Sequence, residues 1–248
     1  MTHPASRIIE HYERHATAWD CDRQNSAWND KVWHDLFIDR LAAGAKVLDL
    51  GCGSGRPVAR HMAERGLLVT GVDSSPTMIS LCRSRLPDHA WIVADMRELS
   101  LEHDPEKWVT GFPSRQTRSV CAEIMLKQKD KKIERDDDSK KSHPALGRCF
   151  QGILAWDSFF HLDHDDQRRM FAVFAAHASG GAWLMFNAGP RHGEAIGNYR
   201  GDPLYHASLS PGEYKTLINR FGFEVIEHAA DDERAGGRTV WLCRSRSA

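Results

Sequence analysis

Apolar and polar positions along the chain alternate with two periods, one helical and one typical of strands. Residues 5–43 carry aromatic and aliphatic side chains at helical spacings, and Gly44 ends this region. Short apolar runs then predict strands at 45–50, 67–72, 91–94, 152–157, 182–186, 223–228 and 239–243. The segments between these runs predict helices at 57–65, 76–85, 164–178 and 211–221.

Strands that alternate with helices are typical of βαβ units, which form a largely parallel sheet. The last two strands are joined through a turn that contains Gly236-Gly237, and this predicts an antiparallel hairpin at the end of the sheet. A long polar loop is predicted at 187–208. We therefore expect an α/β fold with one antiparallel element.

This alternation stops at 102–148, where Lys, Asp, Glu, Ser and Gln dominate. Structureless loops of more than ~15 residues are unusual inside compact domains. We therefore interpret 102–148 as an insertion, partly disordered and a candidate for contact with a partner. Its charged run mixes both signs, which disfavours nucleic-acid binding. The other residues predict an N-terminal helical lid at 1–44 and one domain at 45–248.

Composition narrows the class of protein only a little. The chain is 41% hydrophobic with a formal net charge of -1, so it can bury a normal core and has no overall attraction to nucleic acid or anionic membranes. Its six cysteines form no CxxC pair, which disfavours a disulfide framework or a metal site. No leader-like segment and no membrane-spanning apolar run are visible, so we expect a cytoplasmic protein.

The most informative motif follows the first predicted strand. There the apolar run 47–50 leads directly into three glycines at alternate positions, Gly51, Gly53 and Gly55. Glycine lets the backbone approach a ligand closely because it has no Cβ and tolerates positive φ. A dinucleotide fingerprint needs a third small residue one position later, where Arg56 stands instead. The motif therefore predicts a nucleotide-like ligand other than a dinucleotide.

The alternating glycines, preceded by Asp49, resemble the first motif of class I S-adenosylmethionine-dependent methyltransferases, and two later acids at strand ends, Asp73 and Asp95, agree with that family in order and spacing. The resemblance implies a doubly wound, Rossmann-like sheet of seven strands, mostly parallel with an antiparallel last strand, under N-terminal lid helices. It implies S-adenosyl-L-methionine as the cofactor. It also implies that the cofactor is held by Asp49, Gly51, Cys52, Gly53, Gly55, Asp73, Ser74, Asp95, Met96 and Trp156.

On the acceptor side the predictions rest on position alone. The fourth-strand segment contains Ala155-Trp156-Asp157-Ser158, which lacks the Pro-Pro motif of enzymes that methylate planar amino groups. We therefore expect a small-molecule acceptor. His161 and Asp157 are the candidate general bases, because an imidazole titrates near neutrality. Candidate lid or acceptor contacts are Tyr12, Trp19, His192 and Tyr205.

Two alternatives remain open. One is a methyltransferase-like module that binds the cofactor without turnover, since inserted material near the site would block or reshape it. The other is an NAD-dependent oxidoreductase on a similar sheet, which Arg56-Pro57 disfavours.

Overall fold

The computed structural model describes residues 4–99 and 150–246. The helices of these residues are α1 (Ile8–Asn25), α2 (Lys31–Ile38), α3 (Val58–Glu64), α4 (Pro76–Arg85), α5 (His164–His177) and α6 (Pro211–Arg220). The strands are β1 (Lys46–Leu50), β2 (Leu68–Asp73), β3 (Ala90–Val93), β4 (Phe150–Ala155), β5 (Ala178–Ala188), β6 (Gly193–Tyr199), β7 (Asp202–Ser208), β8 (Phe223–Asp232) and β9 (Arg238–Ser245).

Seven of these strands form one sheet in the order β3-β2-β1-β4-β5-β9-β8. The first five strands in this order, β3, β2, β1, β4 and β5, are all parallel to one another. Strand β9 runs antiparallel to both of its neighbours, β5 and β8. The predicted α/β class, the mostly parallel seven-stranded sheet and its antiparallel last strand are therefore confirmed. The predicted insertion falls between β3 and β4, and 102–148 lies outside the described residues. The division into a lid and one domain stays a prediction.

Helices cover both faces of the sheet, as the doubly wound prediction requires. Leu48 and Leu50 of β1 lie in one apolar cluster with α5 and α6 residues that include Phe171, Phe174 and Tyr214. Val47, which points the other way, lies in a second cluster with α2 residues that include Trp33 and Phe37. Central parallel strands are buried on both faces, which explains why every residue of β1 from Val47 to Leu50 is buried. Among the helices that the structure describes, none combines the length and the apolar composition needed to cross a bilayer.

The prediction of an irregular loop at 187–208 is wrong in its larger part. Strands β6 and β7 pair there as a separate antiparallel hairpin. Its tight turn places Arg200 at φ 54 and Gly201 at φ 93, the left-handed pair that two-residue hairpin turns favour. Strand β6 is largely exposed, with Ile196 open to solvent, so no apolar alternation marks it in the sequence.

Helix α1 is fixed along α4. Near its start, Glu13 accepts hydrogen bonds from the hydroxyl groups of Ser75 and Thr77 and from the N–H of Thr77. Near its end, Asp20 accepts two bonds from Arg85, at 2.6 and 2.7 Å. Two separated contacts fix the direction of a helix, so α1 lies alongside α4 from Ser75 to Arg85.

Candidate functional site

Two adjoining cavities open at the carboxyl ends of the parallel strands, where ligands of α/β sheets collect. The inner cavity lies between the glycine loop, the end of β2 and the segment after β3, and it measures about 1040 Å³ together with the space at its mouth that is open to solvent. The outer cavity lies beside the β6–β7 hairpin and measures about 1700 Å³, again including space open to solvent. Five residues line both cavities: Tyr12, Trp19, Arg23, Asp157 and His161. The two spaces therefore meet at a junction made of these side chains.

The glycine loop forms one wall of the inner cavity. Gly51 has φ 75, and a Cβ there would lie 2.2 Å from the Cβ of Ser158, so only glycine fits without displacing the segment after β4. Gly53 has φ 54, and a Cβ there would meet no atom within 4 Å. Gly55 lies outside both cavities and packs towards α4, where a Cβ would lie 3.2 Å from Cys82 Sγ.

Asp73, the last residue of β2, holds the loop in place. Its Oδ2 accepts the N–H of Gly53 at 2.9 Å, and its Oδ1 accepts the N–H of Ser75 at 2.9 Å. Burial raises the pKa of Asp73, while these two backbone donors oppose the rise. Ser75 caps α4 by accepting the N–H of Met78. Each carboxylate oxygen of Asp73 keeps a lone pair for a further donor.

Asp49 is buried beneath the loop at the end of β1 and lines the inner cavity. Burial, followed by the nearby charge of Asp73, raises its pKa to about 7. No hydrogen bond to its carboxylate is formed within 4–99 and 150–246. A buried carboxyl group with a raised pKa binds a cationic group favourably, because the opposite charge stabilises its ionised form. Cys52 lines the same cavity, and burial raises the pKa of its thiol.

Asp95 and Met96 line the far end of the inner cavity, after β3. The Nε of Arg97 lies 3.0 Å from both carboxylate oxygens of Asp95, and its Nη1 lies 2.8 Å from Asp166 on α5. The Asp95 side chain is therefore fixed by its neighbour before any ligand arrives. Arg97 was not predicted as a site residue, although its position next to Asp95-Met96 was a local signal for it.

His161 is hydrogen-bonded on both ring nitrogens. Its Nδ1 lies 2.8 Å from the carbonyl oxygen of Tyr205, which only accepts, so Nδ1 carries the proton. Its Nε2 then accepts the hydroxyl proton of Tyr12 at 2.6 Å. Burial lowers the pKa of His161 to about 3. The lone pair that a general base needs is thus occupied by Tyr12, and the predicted base role of His161 stays a prediction.

Asp157, the other predicted base, is also fully engaged. Arg238 donates to both of its oxygens at 2.7 and 2.8 Å, Arg23 donates at 2.9 Å, and Asn187 donates at 2.8 Å. Burial alone would raise the pKa of Asp157, but the Arg238 hydrogen bonds, and then the charges of Arg238 and Arg23, bring it down to about 2. Asp157, which follows β4, therefore connects α1, β5 and β9 through these hydrogen bonds.

The remaining predicted residues divide between the two cavities. Trp156 lines the inner cavity and donates its Nε1–H to Asp30 at 2.6 Å. His192 lines the outer cavity, where it stacks on His164 with ring centroids 4.4 Å apart. The Tyr205 side chain lines neither cavity. Ser74 lines the inner cavity.

Sequence reasoning missed the arginines of the site. Arg23 meets Asp157 across 134 positions and Arg238 meets it across 81, and neither has a motif around it. Arg56 also lines the inner cavity, next to Gln24 of α1. Contacts between residues so far apart depend on the fold, and no local pattern in the chain signals them.

Comparison with known proteins agrees with this geometry. Residues 47–113 match the family model described as "Methyltransferase domain". The chain is 46% identical over 85 residues to trans-aconitate 2-methyltransferase of Escherichia coli O1:K1 / APEC, which covers 29% of this chain and 34% of that relative. It is 35% identical over 102 residues to malonyl-[acyl-carrier protein] O-methyltransferase of Salmonella typhimurium. That match covers 40% of this chain and 35% of the relative. The chain thus spans about a third of the length of the curated relatives it matches.

Solved structures share the fold over nearly the whole chain. Burkholderia thailandensis 1,6-didemethyltoxoflavin-N1-methyltransferase, with bound 1,6-didemethyltoxoflavin and S-adenosylhomocysteine, superposes with a TM-score of 0.64 at 14% identity, covering 100% of this chain and 92% of that one. Magnesium protoporphyrin IX methyltransferase of Synechocystis PCC 6803, with bound S-adenosylmethionine, superposes with a TM-score of 0.60 at 14% sequence identity. The match covers 100% of this chain and 99% of that one. The resemblance to class I S-adenosylmethionine-dependent methyltransferases is confirmed for the fold and for the motifs from β1 to β3.

Proposed function

We propose that this chain, with the fold and first motifs of the class I methyltransferases, binds S-adenosylmethionine in the inner cavity and transfers its methyl group to a small molecule in the outer cavity. The observation that carries the proposal is the shared wall of the two cavities. Tyr12, Trp19 and Arg23 line both, so ligands in the two spaces would meet there. In-line transfer needs such a meeting point.

The inner cavity fits the parts of this cofactor. Asp49 is a buried acid with no cationic neighbour among residues 4–99 and 150–246, which fits the ammonium group of the amino-acid moiety. Asp73 keeps acceptor capacity for the two ribose hydroxyls while it holds the loop. Asp95 and Met96 would lie against the adenine ring. When bound, the cofactor supplies a methyl group that is already activated on a sulfonium.

The chain's own residues would orient the two ligands and exclude water. The ring of Trp19 lies edge-on to Tyr12, with centroids 5.4 Å apart, and to Tyr199, with centroids 4.7 Å apart. These rings form a wall beside the junction, and ring faces attract a cationic centre. Holding donor and acceptor in line is worth on the order of 7–11 kcal/mol of the barrier.

A base is needed only for an acceptor that enters protonated. Because His161 and Asp157 are both engaged, we propose His206 for that role. Its ring lines the outer cavity 4.8 Å from the ring of His161. Burial lowers its pKa, so the imidazole is neutral at physiological pH and keeps the form that accepts a proton. An acceptor that enters as an anion would bypass this step.

The name of one relative supports a small acceptor, since trans-aconitate is one, whereas the malonyl group in the name of the other is attached to an acyl-carrier protein. The neighbouring structure of the toxoflavin enzyme has both S-adenosylhomocysteine and a small acceptor bound. A screen of small molecules with methyl-labelled cofactor tests turnover directly. Label transfer to no acceptor, with tight cofactor binding intact, would favour the alternative of a binding module.

Cofactor binding is tested by calorimetry with S-adenosylhomocysteine and NAD side by side. We expect the wild type to bind only the first. Asp73→Ala removes the hydrogen bonds to the N–H groups of Gly53 and Ser75 together with the acceptor for the ribose. The affinity of this variant for S-adenosylhomocysteine should therefore fall roughly 10- to 100-fold. The control is Asp88→Ala, an exposed acid beyond α4, which should bind as the wild type does. Equal affinity of the two variants would contradict the assignment of Asp73.

Binding should also release a proton through Asp49. In the free protein its pKa is about 7, so near pH 6 the carboxyl group is mostly protonated. An ammonium group at this position favours the carboxylate, lowers the pKa and releases about one proton per ligand bound. Calorimetry in buffers of different ionisation enthalpy measures this release. It should vanish in Asp49→Asn and with 5′-methylthioadenosine, which lacks the ammonium. A release that persists with that ligand would rule out this role.

A further inference from the structure

Two histidines of α1 and an aspartate of the β6–β7 hairpin form a compact cluster. None of the three has a role in the methyl transfer proposed above. His11 and His15 are four residues apart and lie on one face of the helix, with ring centroids 4.8 Å apart. Asp202, the first residue of β7, faces them. One ring nitrogen of each histidine and one carboxylate oxygen of Asp202 all lie within 4.8 Å of one another. Sequence spacing alone did not show this, because Asp202 is 187 positions from His15.

The cluster has unused ligand atoms. His11 is 6% exposed, and its Nε2 is buried without a hydrogen-bond partner in the part of the chain that the structure describes. Leaving a buried polar nitrogen unpaired costs about 1–3 kcal/mol. The Nε2 of His15 and the Nη1 of Arg14 both bond to Oδ2 of Asp202, at 2.8 and 2.9 Å. No hydrogen bond within the described ranges reaches the other carboxylate oxygen.

We propose that His11, His15 and Asp202 form a binding site for one divalent transition-metal ion of the zinc type. Two imidazoles and one carboxylate favour zinc, nickel or copper over magnesium or calcium, which prefer oxygen ligands. Zinc–ligand bonds of ~2.0 Å in a tetrahedral site set ligand atoms ~3.3 Å apart. The observed spacing therefore needs side-chain movement of about 1–2 Å, with water as the fourth ligand.

The expected absence of a metal site rested on the cysteines, which take no part here. The histidines suit the role because a ring nitrogen of imidazole is a common ligand of divalent transition metals. Arg14 is the competing group, since its guanidinium neutralises the same carboxylate that the ion would use.

An ion at this site would fasten α1 to the hairpin. His11 and His15 flank Tyr12 in the sequence, and Tyr12 lines both cavities. Strand β7 carries His206 on the wall of the outer cavity. The ion would therefore hold the aromatic wall of α1 in a fixed position against the acceptor side of the cleft.

Titration of the metal-free full chain with Zn²⁺ tests the site, by calorimetry and by the rise in melting temperature. Co²⁺ provides a spectroscopic reading, because tetrahedral coordination gives strong visible absorption. His15→Gln keeps a donor towards Asp202 but removes the imidazole, and Asp202→Asn removes the charge. We expect Zn²⁺ affinity to fall at least tenfold in each variant and the melting shift to disappear.

Two further variants separate a built site from general histidine binding. His192→Ala removes a surface histidine of the stacked pair and should leave Zn²⁺ affinity unchanged. Arg14→Ala removes the competing cation and should raise the affinity, which an ion pair without a metal function would not do. Equal affinity in the wild type, His15→Gln and Asp202→Asn would overturn the proposal, as would a wild type with no melting shift.

Discussion

Replacing Gly51 with alanine should abolish cofactor binding and destabilise the fold at the same time. The new Cβ would lie 2.2 Å from Ser158 Cβ and 2.8 Å from Ser158 Oγ, and it would sit on a backbone with φ 75. Left-handed backbone costs an alanine roughly 1–2 kcal/mol, and overpacking of a tight contact costs about 1–3 kcal/mol more. Relief requires the Ser158 segment to move away from the loop, which opens the inner cavity.

Two other glycines separate the causes of this effect. Gly44 has φ 76 with no atom within 4 Å of its would-be Cβ, and it lies far from the cavities, so Gly44→Ala should lose only the backbone part of the stability. Gly53 has the same free space but lines the inner cavity, so Gly53→Ala should weaken binding more than stability. Urea denaturation and calorimetry with S-adenosylhomocysteine measure both quantities. If Gly51→Ala matched Gly44→Ala in both, the loop would not depend on the contact with Ser158.

The part of the site that the sequence predicted is the part built from consecutive residues. Asp49, Gly51, Gly53 and Asp73 lie where strands β1 and β2 end, and parallel strands bring their carboxyl ends to one edge of the sheet. A strand, the turn that follows it and the next residues are close in sequence, so the local sequence pattern is enough to predict how they are arranged. The apolar runs that form central strands were predicted for the same reason.

What the sequence could not predict depends on contacts between distant elements. The β6–β7 hairpin is stabilised by pairing with itself and lacks an apolar alternation, so it looked like a loop. The occupied lone pair of His161 depends on Tyr12, which is 149 positions away. A histidine shortly after a strand is a candidate base from sequence, and only the fold shows that Tyr12 and the Tyr205 carbonyl already use both of its nitrogens.

The ion cluster at Asp157 should be the strongest single polar contribution to stability near the site. Asp157→Asn keeps the size of the side chain, and asparagine tolerates the observed φ of 49. It removes the carboxylate that Arg23 and Arg238 share in a partly buried position, so Arg23 loses its anion, whereas Arg238 keeps Asp30 at 3.6 Å from its Nη1. Removing one partner of a buried pair costs about 3–5 kcal/mol. We expect a loss of this size in urea denaturation at neutral pH, whereas Glu64→Gln, in an exposed pair with Arg60, should have a small effect.

The pH dependence identifies the charge of Asp157 as the cause. Its pKa is about 2 in the folded protein against 3.8 as its ordinary value. A lowered pKa means that the unfolded chain binds the proton more readily, so the stabilisation is complete above pH 3.8 and is lost as the pH falls towards 2. This part amounts to about 2 kcal/mol, since one pKa unit is 1.36 kcal/mol. The stability difference between the wild type and Asp157→Asn should therefore shrink over that range. A difference that stayed constant from pH 7 to pH 2 would show that packing, and not the ion cluster, joins α1 to β9.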